Sequence, residues 1–113
     1  MIDGIGIDVV DIKRFHESLE RTPGLREKLF TPAEAVLKET SLAARFAAKE
    51  ALYKALSPEH GLQWHDAEVI NLPNGKPAFL FRGQIADLID GALVHLSLSH
   101  DAGIASAMVV IER

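Results

Sequence analysis

Two acidic residues that lie far apart in the sequence, Asp8 and Glu50, are the first candidates for chemistry. Asp8 ends a segment that alternates like a β-strand, and Glu50 lies inside an apolar, alanine-rich segment that is typical of a helix. Magnesium commonly takes one or two protein carboxylates, with water and phosphate oxygens in its other positions. A strand-end aspartate that faces a mid-helix glutamate would supply this pair. A purely structural alternative stays open, in which Asp8 caps a turn and Glu50 pairs with Lys54 at the i,i+4 spacing.

Basic residues surround Glu50 in the same segment. With the periodicity of an α-helix, Phe46, Glu50 and Lys54 share one face, while Arg45 and Lys49 form a neighbouring stripe. A carboxylate beside cations, with small alanines around it, suits a metal–diphosphate complex that lies close to the helix. A solvent-exposed helix with salt-bridged charges fits the pattern as well.

A third polar cluster, Ser99-His100-Asp101, follows an alternating segment. A serine and a histidine at the end of a strand can donate hydrogen bonds to a phosphate. The same residue types form the triad of many hydrolases, but consecutive residues of an extended strand point to opposite faces. They cannot line up as nucleophile, base and orienting acid, so we reject a hydrolase triad.

The composition describes one ordinary globular domain: 113 residues, 48% hydrophobic and 25% charged. The absence of cysteine excludes disulfides, thiolate catalysis and cysteine-ligated metal. A net charge of −4 argues against general nucleic-acid binding. The longest apolar stretch, residues 103–111, is too short to cross a bilayer, and the start is not a signal peptide. We therefore expect a cytoplasmic protein without nucleic-acid or membrane partners.

Local signals predict an α+β fold in which helices pack on an antiparallel sheet. Asp11 is expected to cap the first helix, and Thr31 with Glu34 forms a capping box for the second. Pro58 should end the longest helix. The predicted helices cover residues 12–21, 32–39, 42–56 and 84–90. The predicted strands cover residues 2–9, 66–72, 78–81, 93–100 and 104–112.

On the first predicted strand, Gly4, Gly6 and Asp8 lie on one side. Glycines inside a strand allow another backbone, or a ligand, to approach closely. The side of the strand that carries Asp8 is therefore expected to meet a closely packed neighbour.

Taken together, five segments resemble the holo-acyl-carrier-protein synthases, the small class of 4′-phosphopantetheinyl transferases. In the family's order they are Gly4–Ile12, Arg45–Ala51 with Lys54-Ala55, Asp66–Val69, Asn74–Pro77 and Leu96–Asp101. The resemblance implies one transferase domain over residues 1–113. Such an enzyme moves 4′-phosphopantetheine from coenzyme A to a serine of an acidic apo acyl-carrier protein and releases adenosine 3′,5′-bisphosphate. A non-enzymatic module that binds coenzyme A or a carrier is the alternative.

The same resemblance implies catalytic roles. Asp8 and Glu50 match the family's ligands for Mg²⁺, with Mn²⁺ a possible substitute. Lys54 matches the lysine near the coenzyme diphosphate. The proton of the carrier serine would go to Glu50, or to a metal-bound water that Glu50 orients. The resemblance also implies a homotrimer with pockets between its subunits.

Further positions are implied to bind the two substrates. Arg14 matches the arginine that docks the acidic helix of the carrier, and Arg21 shares a predicted helix face with it, although a solvated face is the alternative for Arg21. The residues implied to contact coenzyme A, besides Lys54, are Arg45, Lys49, Lys76, Pro77, Ser99 and His100.

Overall fold

The computed structural model describes residues 1–56, 61 and 63–113. Its strands are β1 (Ile2–Asp11), β2 (Ala67–Asn71), β3 (Pro77–Phe81), β4 (Leu93–Asp101) and β5 (Ile104–Glu112). Its helices are α1 (Ile12–Arg21), α2 (Leu25–Leu29), α3 (Pro32–Ala35), α4 (Glu39–Leu56) and α5 (Gly83–Ile89), with one 3₁₀ turn at Trp64–Asp66. The prediction of helices on antiparallel sheets is confirmed.

The main sheet is antiparallel, with strand order β1-β5-β4, and β2 and β3 form a separate antiparallel pair. Strand β1 runs to Asp11, two residues beyond its predicted end, because β5 continues to pair with it up to Ile104. One face of the main sheet packs under α4. The opposite face exposes Ile5, Ile7 and Val9, which are 58%, 61% and 66% accessible.

The core forms where α4 crosses the main sheet. Small side chains on α4, among them Ala47 and Ala51, are fully buried and allow the helix to lie close to the strands. Large apolar side chains from β5, Val109 and Ile111, fill the space beside them.

An aromatic cluster joins α1 to the far side of α4. The rings of Phe15 and Phe46 stack with centroids 4.7 Å apart, and Phe46 in turn stacks on Trp64 at 5.7 Å. Phe30 meets the edge of Phe15 at 6.1 Å. These contacts fix α1, and the residues on it, against the middle of α4.

The two predicted helix caps are present. The Asp11 carboxylate accepts a hydrogen bond of 2.8 Å from the backbone N–H of Arg14. Thr31 accepts from the backbone N–H of Glu34, while Glu34 accepts from the backbone N–H of Thr31, so the capping box is closed.

Two predicted helix boundaries are wrong. Helix α3 ends at Ala35 rather than near residue 39, since the backbone N–H of Leu37 turns back to the carbonyl of Glu34. Helix α4 begins at Glu39 rather than Leu42, because the backbone N–H of Leu42 already bonds to the carbonyl of Lys38. The predicted stop at Pro58 lies outside the described residues.

Two smaller features also differ from the sequence prediction. Helix α2 was not predicted, and residue 66 belongs to the 3₁₀ turn rather than to β2. None of the helices in the described part of the chain combines the length and apolar character needed to cross a bilayer.

Candidate active site

Strand β1 and helix α4 bring Asp8, Glu50 and Lys54 together. The Lys54 ammonium donates to the carbonyl of Ile7 at 2.9 Å and to the Asp8 carboxylate at 3.1 Å. Burial raises the pKa of Glu50, the nearby negative charge of Asp8 raises it further, and the positive charge of Lys54 opposes both. Two carboxylates and one ammonium therefore interact at one point of the surface.

A cavity of about 290 Å³ opens beside these charges, between β1, α1 and α4. Its lining includes both carboxylates and a wall of mixed character. The lining residues are Asp8, Val9, Val10, Asp11, Arg14, Phe15, Ser18, Phe46 and Glu50. The cavity thus places an acidic end beside an apolar wall and one arginine.

The carboxylate pair fits a magnesium ion that completes its coordination with substrate. The described residues contain no group of three or more histidine or acidic side chains that could enclose a metal alone. Magnesium does not need one, since it retains waters and takes phosphate oxygens besides one or two carboxylates. Burial raises the pKa of Glu50, and the negative charge of Asp8 raises it further, so the ionised form of Glu50 is disfavoured there. A divalent cation between the two carboxylates would remove their repulsion.

A second cavity of about 360 Å³ lies between the start of α4 and the end of β4. Its lining is rich in hydrogen-bond donors and cations. The lining residues are Lys38, Thr40, Ser41, Ala44, Arg45, Leu98, Ser99 and His100. The structure therefore brings the predicted residues Arg45, Ser99 and His100 together. Lys38, Thr40 and Ser41 were missed, because the sequence prediction began α4 too late to place them beside this cavity.

The hairpin of β2 and β3 holds the Arg45 side chain in position. One guanidinium nitrogen donates to the side-chain oxygen of Asn71 at 2.9 Å. Burial lowers the pKa of Arg45, and the negative charge of Glu34 opposes that effect. Its Nε is buried with no hydrogen-bond partner among the described residues. An anion in the second cavity would supply an acceptor and a compensating charge.

The predicted residues Lys76 and Pro77 lie at the β2–β3 turn. Lys76 is exposed, and its backbone N–H donates to the Asn74 side chain at 3.0 Å. Pro77 opens β3 and pairs with Asn71, the residue that contacts Arg45. The turn is therefore joined through one residue to the second cavity.

Lys49 does not lie in either cavity lining, and the prediction that it contacts coenzyme phosphates is wrong. Its side chain is fully buried. The ammonium donates to the carbonyl of Leu29 at 3.0 Å, the carboxylate of Glu34 at 2.8 Å and the carbonyl of Trp64 at 2.9 Å. These bonds use all three N–H groups of a lysine.

The sequence carried a signal for this placement. On a helix, Lys49 shares a side with Leu42 and Leu52, both of which are fully buried in the structure. A lysine on such a stripe has to find an acidic partner inside the protein, and the capping-box residue Glu34 provides it.

The two arginines predicted to dock a carrier lie in different surroundings on α1. Arg14 lines the first cavity together with both carboxylates. Arg21 lies at the far end of α1, beside Glu17 and Glu20, and reaches the Ser18 hydroxyl at 3.5 Å. The structure therefore brings Arg14 to the site but leaves Arg21 on an outer, mixed-charge surface.

Comparison with known proteins supplies the family. The model of the 4′-phosphopantetheinyl transferase superfamily matches residues 4–105. A holo-[acyl-carrier-protein] synthase from Beutenbergia cavernae is 57% identical over 116 residues, with all of both chains covered. The chain belongs to the holo-[acyl-carrier-protein] synthase family. A second relative of that name, from Leifsonia xyli subsp. xyli, is 56% identical and covers 100% of this chain and 98% of its own.

Solved structures of the holo-[acyl-carrier-protein] synthases share the fold. The protein from Neisseria meningitidis superposes with a TM-score of 0.88 at 30% identity, with both chains fully covered. The Helicobacter pylori protein, solved in complex with coenzyme A, gives 0.84 at 35% identity and covers 96% of this chain and 99% of its own. The resemblance found in the sequence, and the transferase class that it implied, are confirmed.

Proposed function

We propose that this protein transfers the 4′-phosphopantetheine group from coenzyme A to a serine of an apo acyl-carrier protein. The products would be the holo carrier and adenosine 3′,5′-bisphosphate. The observation that carries the proposal is the meeting of Asp8, Glu50 and Lys54 beside one cavity. Relatives with more than half of the sequence in common carry the name of this activity, and the Helicobacter pylori protein binds coenzyme A.

Asp8 and Glu50 would hold the magnesium ion, which Mn²⁺ could replace. When bound, the ion supplies positive charge for the diphosphate of coenzyme A. Lys54 adds a second positive charge, because its side chain is 52% exposed and can extend from Asp8 toward a phosphate oxygen. Transfer of this kind depends chiefly on positioning and charge stabilisation, which these groups provide.

The proton of the carrier serine would go to Glu50, or to a metal-bound water that Glu50 orients. As a ligand of the cation Glu50 would be ionised, and it could orient such a water or take the proton directly. Glu50 also lines the cavity that an incoming serine would enter from the α1 side.

The second cavity suits the nucleotide end of coenzyme A. Arg45, Ser99 and His100 line it with donors for phosphate oxygens. Lys76 and Pro77, at the hairpin that also positions Arg45, would lie near the adenine.

The carrier would dock on α1. Arg14 is exposed on that helix and lines the first cavity, so an acidic carrier helix bound there would bring its serine to Glu50. Arg21 would extend the contact from the other end of α1. Opposite charge across such an interface increases the association rate and fixes the orientation of the partner.

The protein would assemble into the homotrimer that the resemblance implies, with pockets between subunits, and the outer face of the main sheet offers an apolar surface for an interface. Ile5, Ile7, Val9 and Met108 are exposed there, and contiguous exposed apolar residues often mark an interface. We place the enzyme in the cytoplasm, where it would serve fatty-acid synthesis or a related carrier-dependent synthesis.

Intact-mass spectrometry of an apo acyl-carrier protein tests the proposal. The carrier is incubated with this protein, coenzyme A and Mg²⁺, with a chelator in a parallel reaction. We expect the carrier to gain one phosphopantetheine, and the chelator to abolish the gain. Coenzyme A binding without any gain on several carriers would instead support a non-enzymatic binding module.

A further inference from the structure

Two glycines of β1 lie directly beneath α4. A Cβ added to Gly6 would lie 1.8 Å from the carbonyl oxygen of Ala51, and one added to Gly4 would lie 2.0 Å from that of Ala55. Real Cβ atoms essentially never approach another heavy atom closer than 3.0 Å. The obstacles are backbone atoms of a helix, so no change of side-chain rotamer can relieve the overlap.

Neither glycine is required by its own backbone conformation. Gly4 and Gly6 are absent from the residues with positive φ, and any residue could adopt their strand geometry. The positive-φ glycines lie elsewhere in the fold. The reason for glycine at these two positions is therefore the close approach of α4 to β1.

Gly6 lies at the level of the two carboxylates. It precedes Asp8 by two residues on the same side of β1, and the carbonyl that it contacts belongs to Ala51, the residue after Glu50. The separation of strand and helix at Gly6 is thus nearly the separation of the backbones that carry the two acids. Gly4 acts one helical turn farther along α4, at Ala55.

We propose that Gly6 is a positioning residue that sets the spacing of Asp8 and Glu50 for a divalent cation. The inference rests on the metal role given to these carboxylates under the proposed function. A methyl group at residue 6 has to move Ala51 by more than 1 Å, from 1.8 Å to beyond 3.0 Å. Magnesium requires ligands at about 2.0–2.1 Å in nearly ideal octahedral geometry, so it tolerates such a shift poorly.

The test compares three glycine variants in Mn²⁺ titrations followed by electron paramagnetic resonance, with coenzyme A present. Gly6→Ala should raise the Kd for Mn²⁺ about tenfold or more and lower turnover about a hundredfold, as misplacement by about 1 Å can do. Gly4→Ala creates a comparable overlap away from Glu50, so the Kd of this variant for Mn²⁺ should differ from that of the wild type by less than about threefold. Gly61→Ala is the matched control, because a Cβ there meets no atom of the described residues within 4 Å.

A double variant separates positioning from packing. If α4 has moved away, the longer carboxylate in Gly6→Ala/Asp8→Glu should recover part of the Mn²⁺ affinity, although it does nothing for the packing of α4. Thermal unfolding is recorded for every variant. Unchanged Mn²⁺ affinity in folded Gly6→Ala would overturn the inference, and so would losses in Gly4→Ala and Gly6→Ala that simply follow their unfolding temperatures.

Two further results are informative. Failure of the wild-type protein to bind Mn²⁺ would reject the metal role of the carboxylates themselves, which is a failure of the proposed function and is visible without any variant. If Gly6→Ala does not fold, Ala51→Val moves the same turn of α4 from the buried helix side and must weaken Mn²⁺ binding as well. Wild-type affinity in that variant would also refute the role of this spacing.

Discussion

Lys49 and Lys54 lie on the same helix, yet they belong to two different kinds of site. Lys49 is fully buried and gives its three N–H groups to Glu34 and to two backbone carbonyls. Lys54 is 52% exposed and bonds to Asp8 and the carbonyl of Ile7 at the edge of a cavity. The first lysine joins parts of the fold, whereas the second is the one proposed to offer its charge to a ligand.

The surroundings of Glu34 explain the difference. One carboxylate oxygen accepts from Lys49 and from the backbone N–H of Thr31, and the other accepts from the backbone N–H of Val69 at 2.9 Å. This buried pair therefore connects α3, α4 and β2. Burial lowers the pKa of Lys49, and the bond to Glu34 opposes the shift. Removing one partner of such a pair leaves an uncompensated charge in the interior.

The largest effect on activity is expected at the carboxylates of the exposed site. Asp8→Ala or Glu50→Ala should lower turnover by roughly two to three powers of ten or more, since each removes a charge that acts at the reacting groups. Steady-state kinetics with carrier and coenzyme A measure this, and thermal unfolding should show a folded protein. A variant that keeps most of its activity would remove that residue from the site.

Lys49→Met should give the largest loss of stability. Breaking the buried pair is expected to lower the free energy of unfolding by about 3–5 kcal/mol, because Glu34 stays buried without its cation. Urea unfolding measures the loss, and the Kd of the folded fraction for coenzyme A should stay near the wild-type value. Weaker coenzyme A binding at unchanged stability would show instead that Lys49 belongs to the coenzyme A site.

Lys54→Met makes the same substitution at the exposed lysine. We expect turnover to fall about a hundredfold, because one positive charge near the diphosphate is lost. Stability should fall by less than about 1 kcal/mol, as is usual for exposed ion pairs. The opposite outcome, a large loss of stability with turnover retained, would show that both lysines are structural.

This contrast marks what could be predicted from the sequence. The strand that carries Asp8, the caps at Asp11 and Thr31, and the shared face of Glu50 and Lys54 all depend on local periodicity and capping chemistry. The partner of Lys49 lies fifteen residues earlier in the chain and is brought near only by tertiary packing. Local patterns therefore predicted the fold and the shared face of Glu50 and Lys54. The coenzyme role of Lys49 came from the family resemblance, and the buried position of Lys49 contradicts it.

The start of α4 is a second case of this kind. Its first turn includes Thr40 and Ser41, which line the donor-rich cavity together with Ser99 and His100 of β4. Helix ends are set by a few hydrogen bonds, here the one from Leu42 to Lys38, which propensity does not resolve. Because the start of α4 was predicted three residues too late, one wall of this cavity was not predicted.

Arg14→Glu probes the approach to the site from α1 and should have a smaller effect. Reversing the charge is expected to raise the KM for an acidic carrier about tenfold, without changing the Kd for coenzyme A. Lys28→Glu makes the same charge change on the exposed surface of α2 and serves as the control. An equal loss of coenzyme A affinity would show that Arg14 acts inside the cavity rather than in docking.

The smallest expected effect concerns the pH dependence of stability at Glu50. Burial, and then the charge of Asp8, raise its pKa in the folded protein, so folding favours the protonated form. The contribution to stability is fully present below the unfolded pKa of about 4.3 and is lost as the pH rises through the raised folded pKa. The side chain of the Glu50→Gln variant cannot titrate, so its stability should not show this decline with rising pH.

In a chelator-containing buffer, Glu50→Gln should therefore unfold at a slightly higher temperature than the wild type near neutral pH, and the difference should vanish in acid. Adding Mg²⁺ with coenzyme A should favour the wild type instead, because a ligand that binds only the folded protein stabilises it. Parallel curves of unfolding temperature against pH for the two proteins would show that folding does not raise the pKa of Glu50. The site would then resemble the Lys49 region, with its charges already balanced before any ligand binds.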